Sequence, residues 1–165
     1  MPVRWGRWVI CLGVCSVLLY LDNCMFNRPF DVQDAIRVRL ETIAKLAIQQ
    51  GIRDKHYQLV WSFMLDMENS QNPFAERRMA IGVWRTRATI EILPNESIRH
   101  NAMIISGLGI HTKDALHVVC ALEAGADYFI TTDHRILKRM RQEQRIKTVS
   151  PINFLEWIND NDDGN

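Results

Sequence analysis

Short runs of consecutive apolar residues alternate along this chain with longer stretches in which apolar residues recur every three or four positions. Runs of the first kind predict buried strands and stretches of the second kind predict helices. Val17–Leu21 (VLLYL), 59–65 (LVWSFML), 90–93, 128–132 (YFITT) and 146–149 read as strands, being short, apolar and rich in β-branched or aromatic residues. Between the first two strands, an Asn27-Arg28-Pro29 turn leads to Ile36, Leu40, Ile43, Ala44 and Ala47 at helical spacing. Asp31 or Asp34 is the expected cap of that helix and Gly51 its expected stop. Asn72 and Pro73 are expected to open a helix reaching about Trp84. Another is predicted over 97–108, closed by Gly109. The stretch 114–124 is apolar on nearly every side, which predicts an interior helix ended by Gly125. A basic helix over 135–142 and a closing helix over 151–158 complete the pattern, and an acidic flexible tail is expected over 159–165.

Strands that alternate with helices across short loops predict an α/β protein, with a central parallel sheet covered by helices on both faces. The chain has 165 residues, 47% of them hydrophobic, enough for one ordinary core. No repeat or Gly/Ser-rich linker divides it, so a single domain over 18–158 is expected. The formal net charge of +1 excludes a protein held on nucleic acid by a global basic excess, so any such contact must come from local patches. Cys11, Cys15, Cys24 and Cys120 form no C-x-x-C pair and no disulfide framework, which fits a reducing, cytoplasmic setting and gives no support to structural zinc. Arg4 and Arg7 precede an apolar run that imitates a secretory signal, but Gly13, Ser16 and Asp22 interrupt or end it too early for a membrane span. Cleavage there would also remove the first strand. Residues 1–17 are therefore expected to be a dispensable, non-native extension.

The acidic residues fall in a chemically telling pattern. Asp22 directly follows VLLYL, Asp133 directly follows YFITT, and Glu68 lies three residues beyond LVWSFML. In parallel sheets the carboxyl ends of the strands form the ligand-binding crevice, so these side chains are expected to converge. Asp114 joins them from the first turn of the interior helix, with Thr112 as its expected cap. Asp66 competes with Glu68 for the same place. Clustered carboxylates repel one another unless a cation is present, and an oxygen-only set favours Mg²⁺ or Mn²⁺ over zinc. Such ions suit phosphodiester hydrolysis. Each acid alone also has an ordinary reading, as a turn former, a helix cap or a solvated residue.

With these residues in place, the sequence resembles the PIN-domain ribonucleases, particularly the short VapC-like toxins. The resemblance rests on Tyr20-Leu21-Asp22-Asn23-Cys24 with Asn27-Arg28-Pro29-Phe30-Asp31, on Lys113-Asp114-Ala115-Leu116-His117 with Ala121, and on 126–133 (ADYFITTD) with Leu137 and Lys138. Glu68 and Asn72-Pro73 resemble the segment holding the family's second acid. Covering 18–155, the resemblance implies a Rossmann-like three-layer sandwich and a metal-dependent endoribonuclease using Mg²⁺ or Mn²⁺. Asp22, Glu68, Asp114 and Asp133 become its metal-holding and catalytic acids, and Thr131 the hydroxyl residue that orients a water. It further implies an RNA substrate, a cognate antitoxin and a homodimer. Asn23 departs from the Thr or Ser often found at its position.

Arg135, Lys138 and Arg139 adjoin the acids and are candidates for holding an RNA backbone, with a solvated helix face as the ordinary reading. Arg77 and Arg78 are weaker candidates. His117 reads as a hydrogen-bonded structural histidine, His134 as solvent-facing, and Trp61, Met64 and Trp84 as core. A haloacid-dehalogenase-like phosphatase needs an Asp where Cys24 stands, and a phosphoacceptor receiver needs a Lys where Ser150-Pro151 stands. The non-enzymatic alternative is an inactive PIN-like module that binds RNA or a protein.

Overall fold

The computed structural model describes residues 16–162. It opens on β1 (Val17–Leu21), whose apolar run is buried from Leu18 onward, as its sequence predicts. The strands β2 (Tyr57–Ser62), β3 (Ile90–Ile92), β4 (Tyr128–Ile130) and β5 (Lys147–Val149) complete a five-stranded parallel sheet in the order β3-β2-β1-β4-β5. The chain winds outward from β1 to β3, then returns on the other side of β1, so the direction of winding reverses between β1 and β4. Parallel neighbours need long crossovers. Helices supply them: α1 (Asn23–Asn27), α2 (Ile36–Arg53), α3 (Phe63–Ser70), α4 (Ala75–Gly82), α5 (Glu96–Ser106), α6 (Thr112–Glu123) and α7 (His134–Arg139), while α8 (Pro151–Asp162) follows the last strand.

Alternation along β1 assigns the two faces of the sheet. Tyr20 stacks on Phe129 of β4 at 5.5 Å between ring centroids and meets His117 of α6, while α5 packs on α6. Leu19, one residue earlier, pairs with Tyr128, whose ring meets Phe154 of α8 edge-on at 5.1 Å, and α8 packs on α2. The result is the expected three-layer sandwich. Trp61, Met64 and Trp84 lie in its core, as their apolar surroundings predict.

Several boundaries differ from the sequence reading. The run 59–65 is not one strand: β2 ends at Ser62 and α3 begins at Phe63, so Met64 and Leu65 are buried through helix packing. A continuous apolar run satisfies either geometry. Neither Asp31 nor Asp34 caps α2, which starts after Ala35 without a side-chain cap, because Asp31 instead pairs with Arg28 at 2.9 Å. Gly51 does not stop that helix, which continues to Arg53; a Cβ at this position would overlap the Tyr57 ring. Asn72 and Pro73 precede α4 rather than opening it, with Asn72 accepting the Phe74 N–H at 3.1 Å. The cap position of α6 is His111, not Thr112. Gly125 ends α6 with φ +68°, a conformation other residues adopt at a cost. The closing helix runs to Asp162, four residues beyond the expected 158 and into the stretch read as tail.

α2 turns an unexpected face inward. Ile36, Leu40 and Ile43 are 68%, 49% and 63% exposed, while Glu41, Lys45 and Gln49 are buried beside Ala44 and Ile48. Glu41 is compensated by Arg28 at 3.1 Å and Arg37 at 2.7 Å. Burial, with Arg53 adding to it, pulls the Lys45 ammonium down to about 8. Most of the N-terminal extension, 1–15, lies outside the described residues, as do Cys11 and Cys15. Among the described residues no helix is long and apolar enough to cross a membrane.

Candidate active site

Asp22 leaves β1 while still tied to the sheet, its N–H donating to the Ile130 carbonyl at 3.0 Å. It is 5% exposed, and its carboxylate caps α1 by accepting the Asn23 N–H at 2.7 Å. The other oxygen accepts the Thr131 hydroxyl at 2.7 Å and the Cys24 thiol at 3.3 Å. Burial, reinforced by the Asp22 charge, pushes the Cys24 thiol far above its ordinary range. Thr131 itself is buried, and its Oγ accepts the Asp133 N–H at 3.1 Å. The hydroxyl expected to orient a water is therefore committed to two acidic segments, each at the end of a central strand.

Asp133 caps α7, accepting the Arg135 N–H at 2.7 Å with the Arg135 guanidinium 3.4 Å away. Burial raises its carboxyl, but the hydrogen bonds and charge of Arg135 outweigh this and hold it below the usual range. Asp114 occupies the third position of α6 and is half-buried. Burial pushes it up, and the charges of Asp22, Asp133 and Glu68 add to the push against an opposing contribution from His117. Glu68 stands on α3 rather than in a loop beyond a strand. Its Oε2 lies 3.1 Å from His117 Nε2. Burial raises Glu68, yet His117, Lys113 and Asn23 together bring it below its ordinary value. Burial likewise lowers His117, but the Glu68 hydrogen bond and the charges of Asp22, Glu68 and Asp114 leave it raised.

The four acids named from sequence thus come from the end of β1, from α3, from α6 and from the loop after β4, and the charges of the other three act on Asp114. Asp66 does not join them. It accepts the Trp61 indole N–H at 2.8 Å and pairs with Arg85 at 3.1 Å. Among the described residues no three His, Cys, Asp or Glu side chains form a ready-made cage for an ion. The donor set nevertheless suits a hard divalent cation, because Mg²⁺ keeps several waters and takes one or two direct carboxylates.

The candidate RNA-binding residues divide between two sides of α7. Arg135 and Arg139 border a small depression of about 40 Å³ that also contains Asp114. Lys138 lies in a larger groove of about 810 Å³ over β5, with His134, Arg141, Lys147 and Trp157. His134 is exposed, as expected. Arg77, a weak candidate in sequence, borders a shallow depression of about 290 Å³ with Glu68 and Asn23, its guanidinium 4.1 Å from the centre of the Phe74 ring. Sequence alone missed the tie between His117 and Glu68. The three-residue step from Asp114 to His117 on one helix face was the signal for it.

The doubly wound parallel sheet defines a class, the Rossmann-like α/β sandwich expected of a PIN-type fold. Solved structures share it. A chain of the VapBC2 complex from Rickettsia felis, bound to a DNA fragment from its promoter, matches with TM-score 0.50 and 15% identity over 81% of this chain and 98% of its own. A chain of VapBC-1 from nontypeable Haemophilus influenzae matches with TM-score 0.54 and 18% identity over 82% and 98%. Identities this low speak for the fold. No family model matches the chain, and no curated protein matches its sequence.

Proposed function

We propose that the protein is a metal-dependent endoribonuclease of the VapC type, with Asp22, Glu68, Asp114 and Asp133 as its acidic site. The observation that carries this reading is the placement of the acids: Asp22 and Asp133 follow the neighbouring strands β1 and β4 and share the Thr131 hydroxyl, and Asp114 stands on α6 where their charges and that of Glu68 push its carboxyl up. Negative charge concentrated in this way needs a cation to be stable when ionised. Mg²⁺ or Mn²⁺, when bound, supplies that charge, polarises a phosphodiester and activates water.

The protein's own part is to hold oxygens in place. Thr131 and Asn23 fix the Asp22 carboxylate, Arg135 fixes Asp133, and the start of α6 carries Asp114 on a rigid element. Arg139 and Arg77 border the depressions beside Asp114 and Glu68 and offer positive charge to RNA phosphates. The two solved structures named above come from VapBC assemblies, which supports an antitoxin as partner, and Ile36, Leu40 and Ile43 on α2 offer apolar surface to a protein. The test is cleavage of a structured RNA by purified protein with Mg²⁺ or Mn²⁺. Cleavage is expected to stop with EDTA and with Asp22→Asn, and its persistence in that variant refutes the site.

A further inference from the structure

We infer that His117 is a positioning residue for Glu68, anchored through Tyr20 and Ser62 to the middle of the sheet; the inference rests on Glu68 belonging to the acidic site. His117 lies on α6 three residues after Asp114 and is 1% exposed. Its Nε2 is 3.1 Å from Glu68 Oε2, and its Nδ1 is 2.7 Å from the Tyr20 hydroxyl oxygen. That oxygen lies 2.6 Å from Ser62 Oγ. The chain of contacts joins β2, β1, α6 and α3.

A carboxylate only accepts, so Nε2 carries the proton that faces Glu68. Nδ1 then accepts from Tyr20 or, in the charged ring, donates to it, and Ser62 completes the chain in either case. Both ring nitrogens are engaged, so the imidazole serves as a brace and not as a ligand. The brace answers a specific need. Asp22 and Asp133 are short side chains already pinned at helix caps, whereas Glu68 has an additional rotatable bond and sits on a helix outside the sheet. Outer hydrogen bonds of this kind orient carboxylates toward a cation and set its affinity.

The experiment uses His117→Leu and His117→Gln, with Mn²⁺ binding followed by electron paramagnetic resonance and folding by thermal melting. His117→Leu is expected to weaken Mn²⁺ binding by about tenfold or more. His117→Gln, which keeps a donor near Nε2, is expected to restore most of it. A folded His117→Leu that binds Mn²⁺ as tightly as wild type overturns the inference, as does a Gln variant no better than Leu. A second measurement needs no metal: the His117 Nε2–H resonance of the metal-free protein is expected to exchange slowly and to be lost in Glu68→Ala. An unchanged resonance overturns the tie. Should wild type bind no Mn²⁺, the acidic-site reading falls, and the resonance alone decides whether His117 braces Glu68. If His117→Leu does not fold, the Gln variant and the resonance decide.

Discussion

The Thr131 hydroxyl donates to the Asp22 carboxylate at 2.7 Å, joining the ends of two neighbouring strands through one buried side chain. A neutral hydroxyl bonded to a charged acceptor contributes about 1.5–3 kcal/mol. Thr131→Val is expected to lower stability by an amount in that range and to reduce RNA cleavage sharply. Thr131→Ser, which keeps the donor, is expected to retain most of both. Denaturant unfolding and initial rates on one RNA check the pair.

Asp114 gives a pH prediction with a definite sign. Its carboxyl is raised in the folded protein, so the folded state holds that proton more tightly than the unfolded chain does. The resulting stabilisation is fully present below the ordinary Asp range and is lost as pH rises through the raised value. At neutral pH the ionised group is a burden. Asp114→Asn is therefore expected to raise the melting temperature at pH 7. The gain should vanish in acid, and the same variant should lose cleavage. Melting curves across pH decide it, and an equal gain at acidic pH would contradict the account.

The cysteines near the site are expected to be inert. Burial raises both the Cys24 and the Cys120 thiols, with Cys120 at about 12, and reactivity follows the thiolate. Iodoacetamide at pH 8 should leave both unlabelled in the folded protein and label them after denaturation, as peptide mass spectrometry would show. Rapid native labelling of Cys24 would mean that its contact with Asp22 is not maintained.

The division of basic residues around α7 offers the proposed RNA substrate two routes. Arg139 borders the depression that contains Asp114, while Lys138 faces the groove over β5. Arg139→Ala is expected to weaken RNA binding and to reduce the slope of log affinity against log salt by about 1, as loss of one phosphate contact does. Lys138→Ala is expected to do less. Fluorescence anisotropy at several salt concentrations compares them, and a larger effect at Lys138 would move the RNA path to the β5 groove.

How much was legible in the sequence depended on whether the signal was local. Asp22 and Asp133 could be placed at strand ends because VLLYL is an unbroken apolar run and YFITT is aromatic and β-branched, and a parallel sheet brings the ends of its central strands together. Glu68 was read on the wrong backbone, since Phe63, Met64 and Leu65 fit a strand as well as the helix they form. Ile36, Leu40 and Ile43 revealed a helix but not its inward side. That side is settled by Arg28, which reaches Glu41 from the preceding turn and makes a buried carboxylate tolerable. The link from Tyr20 to His117 spans 97 positions and follows from strand order, which no local pattern carries.

The burial of Glu41 bears on how the protein responds to its medium. Dissolved ions screen charges that face water far more than those enclosed by protein. Arg28 follows the acidic end of β1 by only a few residues, so its pairing with Glu41 fastens that stretch of backbone to α2 in concentrated brine as well as in dilute buffer. The backbone that follows Asp22 is thereby held against α2 under the same conditions that screen the exposed arginines of the surface.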